Sequence, residues 1–462
     1  MPACFITTTP YLPASMTTVP VLKREISLLQ ATSINMIDMV GIGPFVVMPM
    51  VIKIMGNHLF LWAWIFGAVI AFADGMIWSE LGARFPLAGG SYNFLKAAYG
   101  PKWGPLMSFL FVWQTCLQAP LVVASGAIGF SQYFSYLLPV GPLERKMISG
   151  AVVILITLLL YRNIKTIGKI SVLLWMGLIV TIGWIIFSGF THQQVAFSIL
   201  PRAEDPSMFS TAFAVLLGQA SVKTIYSYLG YYNVCHLGGE IVNPQKNIPR
   251  SIFISIFGIA CLYLLMNLSI VKVIPWQLAM KSDFIVSSFM EKVYGTRAAV
   301  IATMLVLWIT FASLFAVVLG YSRVPFAAAA DGQFFPIFAK LHPTKNFPYV
   351  SLLFLGAIGF VFSLLFKLSE VISAILAMRI IVQFIGQAIG VVLLRKQRNG
   401  EPLPFKMWLY PLPIVLSIWI WLFVFYSTGT YAFLGLGLTA TGILAFYFTR
   451  KFWTKPVGNN RV

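Results

Sequence analysis

Apolar stretches of about 20 residues recur along almost the whole chain, and they constrain its fold more than any other feature. A helix needs roughly 20 mostly apolar residues to cross the hydrocarbon core of a bilayer. The pattern therefore predicts an all-α integral membrane protein with twelve transmembrane helices. The predicted spans lie at about 26–54, 58–82, 103–138, 146–161, 170–190, 209–239, 249–274, 297–328, 349–366, 370–394, 406–426 and 430–449.

Composition supports a membrane protein and argues against the soluble classes. The chain has 462 residues, of which 59% are apolar and 10% are charged. Soluble domains carry roughly 25% charged residues, and their cores stop growing at about 250–300 residues. Soluble enzymes, disordered chains, coiled coils and secreted disulfide scaffolds are therefore disfavoured. No long polar insertion divides the spans, so we predict one membrane domain at 26–450 between cytoplasmic tails at 1–25 and 451–462.

The basic residues predict the orientation of the chain. The net charge is +19, from 32 Lys and Arg against 13 Asp and Glu. With the N-terminus inside, 21 of the 32 fall on cytoplasmic segments, nine fall on outer segments, and Lys223 and Arg379 fall within spans. Basic residues concentrate in cytoplasmic loops. We therefore expect both termini on the cytoplasmic side of the cell (inner) membrane and no nucleic-acid partner.

Two of the predicted spans are interrupted. Span 1 contains Gly41, Gly43 and Pro44, and span 6 contains Gly230. Glycine costs about 1 kcal/mol in a helix interior and proline about 3 kcal/mol. Backbone groups freed within a membrane must also find partners, so such breaks persist where they line a cavity.

The spacing of the two breaks points to a transporter. They are five spans apart, as in transporters built from two inverted five-helix repeats, whose broken helices face the substrate. A half-helix beginning near Pro44 would point its positive end at an anionic group. The alternative is a pair of packing kinks, because glycine and proline are common in membrane helices.

Four segments in order resemble the amino acid–polyamine–organocation (APC) superfamily of permeases, nearest to its L-type amino acid transporter group. The resemblance runs from about residue 26 to 400. The segments are Gly41–Phe45, Glu80–Tyr92, Gly239–Arg250, and Ser322–Gly332 followed by His342 and Pro343.

The resemblance implies a leucine-transporter-like fold with repeats at about 26–190 and 209–395 and two appended helices at about 406–449. It implies secondary active transport of amino acids by alternating access, as an antiporter or a proton symporter. Backbone N–H groups at the span 1 break would bind the substrate carboxylate, carbonyls at the span 6 break would bind the amine, and an aromatic residue would gate the site. The corresponding residues are Gly41, Ile42, Gly43 and Pro44 for the carboxylate, Tyr226, Ser227, Tyr228 and Gly230 for the amine, and Tyr231 for the gate.

Three departures from the family pattern keep alternatives open. Pro44 removes one N–H donor, and Gly-Pro-Phe also resembles plant-type polyamine-uptake members, so a permease for polyamines or other organic cations is the main alternative. Span 5 lacks the lysine that many relatives carry in place of a sodium ion. The outer segment at 139–145 has no cysteine, so we expect a prokaryotic-like member without a disulfide-linked heavy chain. A channel is less favoured, because the chain lacks the repeated rings that give channels selectivity.

Charged residues deep within spans are costly and are candidates for function. Asp38, Asp74, Lys223 and Arg379 are of this kind. We hypothesise that Asp38 and Lys223 meet beside the site and that Lys223 supplies the positive charge absent from span 5. A static ion pair that sets helix register is the alternative. Four residues at the cytoplasmic ends of spans would form an inner gate, or else be solvated charges at the interface: Glu80, Arg84, Glu240 and Arg250.

Sequence motifs give little support to an enzyme. His58, His192, His236 and His342 are far apart and lack the spacing of a zinc protease, and no phosphate-binding loop of an ATPase is present. The four cysteines are too scattered for a metal site. We therefore expect no catalytic residue, metal site or cofactor, and a small-molecule substrate with the bilayer as surroundings.

Overall fold

The computed structural model describes residues 22–56, 58–198, 210–397 and 400–453. Most of the two predicted tails, 1–25 and 451–462, lies outside the described residues. The described part is helical, with two isolated bridges between Ile26 and Ile241 and between Ala88 and Leu237. An all-α fold is therefore confirmed.

Nineteen α-helices form the described part of the chain. The first nine are α1 Leu28–Met39, α2 Gly43–Met55, α3 Leu61–Arg84, α4 Ser91–Ala98, α5 Gly100–Leu137, α6 Pro142–Leu159, α7 Ile164–Thr191, α8 Thr211–Tyr228 and α9 Asn233–His236. The others are α10 Pro244–Val271, α11 Trp276–Ala279, α12 Ile285–Tyr294, α13 Thr296–Tyr321, α14 Arg323–Ala330, α15 Tyr349–Leu365, α16 Leu368–Arg379, α17 Gly386–Gln397, α18 Leu412–Ser427 and α19 Tyr431–Trp453.

Each of the twelve predicted apolar stretches contains a helix, although the helices differ in length. Within the described residues, seven helices are long and apolar enough to cross a membrane, and the bent pair α1 and α2 makes an eighth. α15 and α18 are shorter apolar helices of 17 and 16 residues. α6 carries three charged residues in its first turns and α8 is comparatively polar, so length and apolar composition alone do not mark them as spans. The count of twelve spans and the inverted repeat stay predictions.

The break in the first span separates α1 from α2 by a bend of 41°. Pro44 lies in the first turn of α2, where a missing N–H costs no hydrogen bond within the helix. α1 begins at a capping box, in which the Ser27 N–H donates to Gln30 Oε1 at 2.9 Å. Both half-helices therefore begin with residues that favour a helix start, and the break between them is a defined feature of the span.

The break in the sixth predicted span lies directly against the first. α8 ends at Tyr228, and Gly230 adopts a φ of 125°, a conformation that other residues rarely take. A Cβ atom at Gly230 would lie 2.7 Å from the Met39 nitrogen and 2.8 Å from the Asp38 carbonyl carbon. Position 230 therefore requires glycine for two reasons: its backbone angle and the close approach of two chain segments.

Contacts between loops join segments that the sequence predicts to lie on the same side. On the first side, which we call the inner face, the N–H groups of Glu25 and Ile26 donate to the Glu240 carbonyl at 2.9 Å. On the opposite side, the outer face, the Gln194 N–H donates to the Lys272 carbonyl and Lys292 Nζ donates to the Val273 carbonyl, both at 2.8 Å. These contacts agree with the predicted grouping of the loops, while the assignment of the inner face to the cytoplasm stays a prediction.

Cysteine labelling tests the predicted orientation, because Lys246 and Lys281 are both exposed and lie on opposite faces. In a Cys4→Ser background, we expect Lys281→Cys to react with a membrane-impermeant maleimide in intact cells. Lys246→Cys should react only after permeabilisation. The background variant without either new cysteine is the control, because Cys235 is buried and Cys116 and Cys261 are only partly exposed within helices. The reverse pattern would place both termini outside.

Candidate functional site

A cavity opens between the two broken helices. Its unoccupied space, including the part open to solvent, is about 570 Å³. Segments of α5, α13 and α16 complete its wall. The lining residues are Asp38, Met39, Gly41, Ile42, Gly43, Val122, Gly126, Tyr226, Ser227, Leu229, Gly230, Tyr232, Thr310, Ser313, Leu314, Val317, Tyr321, Ile375 and Arg379.

At the first break, the beginning of α2 presents backbone donors to the cavity. The N–H groups of Gly41, Ile42 and Gly43 make no hydrogen bond within the described residues, whereas those of Phe45 and Val46 both donate to the Ile42 carbonyl at 3.2 Å. A helix N-terminus with free N–H groups carries a partial positive charge and suits an anion. Pro44 has no N–H and does not line the cavity, so the available donors are those of the three residues before it.

At the second break, the end of α8 presents carbonyl groups, of which those of Tyr226 and Ser227 already accept one hydrogen bond each. The Leu229 N–H donates to the Tyr226 carbonyl at 3.3 Å. The Tyr263 hydroxyl lies 2.9 Å from the Ser227 carbonyl and 2.7 Å from the Met39 carbonyl. The Tyr228 side chain packs against the rings of Trp64 and Tyr263 and does not line the cavity. Tyr226 and Ser227 are therefore the predicted residues of α8 that face the site.

Two of the four intramembrane charges, Asp38 and Arg379, line the cavity. Asp38 Oδ2 accepts a hydrogen bond from Asn233 Nδ2 at 2.7 Å. Arg379 donates through Nε to Gln383 Oε1 at 2.9 Å and through Nη2 to the Tyr232 hydroxyl. The sequence identified both charges but not the partners that hold them.

The hypothesis that Asp38 and Lys223 form a pair is wrong in this structure. Lys223 Nζ donates to Ser373 Oγ of α16 at 3.1 Å. Lys223 lies one helical turn before Ser227, on the outer side of the break, whereas Asp38 contacts Asn233, which follows the break. Lys223 therefore bonds before the break in span 6, whereas the partner of Asp38 follows it.

A family model described as amino acid permease matches residues 26–449. The chain belongs to the amino acid permease family. The predicted resemblance to the APC superfamily and its L-type group is thereby confirmed, and the permease is a multi-pass membrane protein.

Individual relatives are distant but cover most of the permease. The serine/threonine exchanger SteT of Bacillus subtilis is 25% identical over 397 residues, which are 84% of this chain and 87% of the exchanger. The Asc-type amino acid transporter 1 of Mus musculus is 27% identical over 347 residues, 72% of this chain and 63% of the transporter. The large neutral amino acids transporter small subunit 2 of the same species is 27% identical over 348 residues, with the same two coverages. The matches to the two mouse proteins thus span less than two thirds of their length.

Asp74 forms a separate buried site in the permease, away from the cavity lining. It accepts hydrogen bonds from Trp78 Nε1 at 2.8 Å and from the Tyr231 hydroxyl at 2.5 Å. Ser417 Oγ at 3.3 Å and Trp421 Nε1 at 3.4 Å donate from α18. Asp74 therefore joins α3, the segment after α8 and α18 through hydrogen bonds, and none of its partners within the described residues is basic.

This network corrects the prediction that Tyr231 gates the substrate. The Tyr231 side chain is buried and turned toward Asp74, and Tyr231 does not line the cavity. The neighbouring Tyr232 lines the cavity instead, bonded to Arg379. Consecutive residues at an irregular break point to different sides, so the aromatic pair in the sequence could not show which ring faces the site.

Ion pairs join segments at the inner face, but they differ from the predicted set. Arg323 donates through Nε and Nη2 to both carboxylate oxygens of Glu240 at 2.9 Å, and both residues are buried. Arg395 holds Glu80 through two bonds of 2.8 and 2.5 Å. The four predicted gate residues therefore do not pair with one another.

The two remaining predicted gate residues lie at the surface of this region. Arg84 pairs with Glu401 at 3.0 Å, where the Glu401 side chain is 52% exposed. Arg250 is exposed and takes part in none of these pairs. Arg323 belongs to the segment 322–332 that carries the family resemblance, and this was the one sequence signal for its role.

A further set of contacts at the inner face ties the α4 helix to the end of α14. The Tyr92 hydroxyl and Lys96 Nζ both donate to Asp331. Burial raises the pKa of Tyr92 well above its ordinary value, and the Asp331 carboxylate raises it further. Tyr92 therefore remains a hydrogen-bond donor at any physiological pH.

Replacing Asp74 tests the buried network. We expect Asp74→Ala to lower the free energy of unfolding by about 3–5 kcal/mol, because each buried donor left unpaired costs about 1–3 kcal/mol. Asp74→Asn keeps one carboxamide oxygen as an acceptor and should cost less. Ser417→Ala is the matched control and should cost about 1 kcal/mol. Thermal unfolding of the detergent-solubilised protein measures the order, and equal losses for all three variants would contradict it.

The Glu240 and Arg323 pair gives a second stability test. We expect Glu240→Gln to destabilise the permease by about 3–5 kcal/mol, because a buried guanidinium loses its counter-charge. Arg84→Gln breaks a pair with an exposed partner and should cost at most about 1 kcal/mol. The midpoint of thermal unfolding in detergent separates the two. Similar midpoints would mean that Glu240 and Arg323 are not desolvated as a pair.

Proposed function

We propose that the permease is a secondary active transporter that moves amino acids across the cell membrane by alternating access. Its twelve spans form two inverted five-helix repeats and two appended helices, with both termini in the cytoplasm. One observation carries the proposal: the beginning of α2 and the end of α8 face the same cavity, with free N–H groups at one and carbonyl groups at the other.

The substrate carboxylate binds at Gly41, Ile42 and Gly43. Their N–H groups have no other partner within the described residues, and they lie at the positive end of α2. Space supports this assignment, because a Cβ atom on Gly43 would lie 3.1 Å from Ser227 Oγ and one on Gly41 would lie 2.6 Å from Ser313 Oγ. A larger residue at either position would fill the room a carboxylate needs.

The substrate amine faces the carbonyl end of α8, near Tyr226 and Ser227. The C-terminal end of a helix carries a partial negative charge, which favours a cation. Tyr263 holds the Ser227 carbonyl beside Met39, so the amine site and the carboxylate site are fixed relative to each other. The charges at the two helix ends match those of a zwitterion.

Charges in the cavity favour an amino acid over a polyamine. A polyamine needs several carboxylates, but Asp74 is outside the cavity and already bonded to four donors. Asp38 lines the cavity, but the Arg379 guanidinium lines it too and would repel an ammonium group. A channel is less favoured, because buried ion pairs join segments at the inner face.

Uptake into proteoliposomes tests the proposal. We expect saturable uptake and counterflow of labelled amino acids by the purified full-length protein, with spermidine neither transported nor competing. Gly43→Ala should reduce uptake at least tenfold, because its methyl group narrows the carboxylate site. Gly183→Ala is the matched control, since a Cβ atom there meets nothing within 4 Å. Spermidine transport without amino acid transport, or unsaturable flux, would overturn the proposal.

A further inference from the structure

We infer that Asp38 and Arg379 together read the side chain of the substrate, and that the permease selects amino acids whose neutral side chains both donate and accept hydrogen bonds. These are the carboxamide and hydroxyl side chains. The inference rests on the proposed function, because it assumes that the backbone at the two breaks binds the carboxylate and the amine.

Arg379 is held rigidly at the wall of the cavity. It ends α16, directly before a π-helical turn at Ile380–Ile385, and such turns are frequent at functional sites. The guanidinium carbon lies 5.0 Å from the centre of the Tyr232 ring and 5.3 Å from that of Phe384. Stacking and two hydrogen bonds therefore fix the group before a substrate binds.

One guanidinium nitrogen of Arg379 remains available. Nε is bonded to Gln383 and Nη2 to Tyr232, whereas Nη1 has no acceptor among the described residues. Because Arg379 lines the cavity, a substrate atom that accepts hydrogen bonds can reach this group from within it. An arginine whose geometry is fixed in advance loses little entropy when it forms that bond.

Asp38 offers the complementary group. Oδ2 accepts the hydrogen bond from Asn233, whose Nδ2 also donates to the Ala316 carbonyl at 2.8 Å. Oδ1 has no donor among the described residues, and the residue is partly exposed at the cavity. The cavity thus presents one free acceptor and one free donor of opposite charge.

The two charged groups influence each other but do not form a direct ion pair. Their charged atoms are more than 4.0 Å apart. A charged group taken out of water without a close partner is costly. A substrate that bridges the two groups removes this cost, and the bridging atoms must accept from Arg379 and donate to Asp38.

This arrangement discriminates between classes of side chain. A carboxylate would bind Arg379 but be repelled by Asp38, and an ammonium or guanidinium group would bind Asp38 but be repelled by Arg379. An apolar side chain would leave both charges unbridged. A carboxamide can accept with its oxygen and donate with its nitrogen, and a hydroxyl can do both with one oxygen.

Competition in proteoliposomes tests the selectivity of the unaltered protein. Labelled glutamine and labelled serine are taken up against unlabelled glutamine, asparagine, serine, threonine, alanine, leucine, glutamate and lysine. We expect at least one of the first four to be a substrate, and its apparent affinity to exceed those of alanine, leucine, glutamate and lysine at least tenfold. Transport in which alanine, leucine, glutamate or lysine binds as well as the best polar substrate overturns the inference and leaves the proposed function standing. No amino acid transport at all means that the proposed function itself has failed.

Neutralising Asp38 or Arg379 alone distinguishes recognition of the substrate side chain from a purely structural role. We expect Asp38→Asn to improve glutamate competition at least fivefold relative to lysine, and Arg379→Met to improve lysine competition at least fivefold relative to glutamate. Arg379→Lys keeps the charge and should not gain lysine binding. Gly183→Ala is the control for assembly, and each variant must elute as the unaltered protein does on size-exclusion chromatography.

The direction of the changes in glutamate and lysine competition distinguishes the two roles. Opposite shifts in charge selectivity support recognition of the substrate by the two residues. Equal loss of rate for all substrates in both variants overturns it, because that pattern is expected when Asp38 and Arg379 only hold the helices together. If a variant does not fold, the competition series on the unaltered protein still confirms or overturns the inference.

Discussion

A helix that breaks inside an apolar protein exposes backbone groups that must find partners, and this constraint organises the centre of the permease. One hydroxyl, that of Tyr263, serves carbonyl groups of both broken helices, at Met39 and at Ser227. Gly230 brings the backbones of the two breaks into contact. Among the described residues, the N–H groups of Gly41, Ile42 and Gly43 at the first break have no hydrogen-bond partner, and they remain available to an anion.

The buried charges of the permease are compensated in three different ways. Asp74 accepts hydrogen bonds from four neutral donors. Glu240 has a bidentate arginine partner. Asp38 and Arg379 each keep one unused position facing the cavity. Asp74 and Glu240 lie between packed helices with their hydrogen bonds made, whereas the unused positions of Asp38 and Arg379 lie at the cavity, where a ligand can complete their bonding.

The sequence predicted local features of the fold well. Apolar stretches located a helix in each of the twelve predicted places, and glycine and proline located the break between α1 and α2 and the break after α8. Both signals depend on chain length and backbone conformation, which neighbouring residues determine. The cavity-lining role of the span 1 glycines follows from the same local features.

Side-chain partners could not be predicted in this way. Lys223 bonds to Ser373, 150 residues away, and Arg323 pairs with Glu240 across 83 residues. Such contacts depend on how each helix is rotated about its axis and on its depth relative to the next. The hypothesis of an Asp38 and Lys223 pair assumed that the two charges lie at the same depth in neighbouring spans. Instead, Lys223 precedes the break in span 6, and Asp38 contacts Asn233, which follows it.

Glu240 has a consequence for how the inner face opens. Its carbonyl accepts the N–H groups of Glu25 and Ile26, while its carboxylate holds Arg323 at the beginning of α14. The N-terminal segment and the α14 helix are thus tied to the same residue. If the permease opens at this face as proposed, a displacement of Glu240 changes the bonding of both segments at once, and their movements are coupled through that residue.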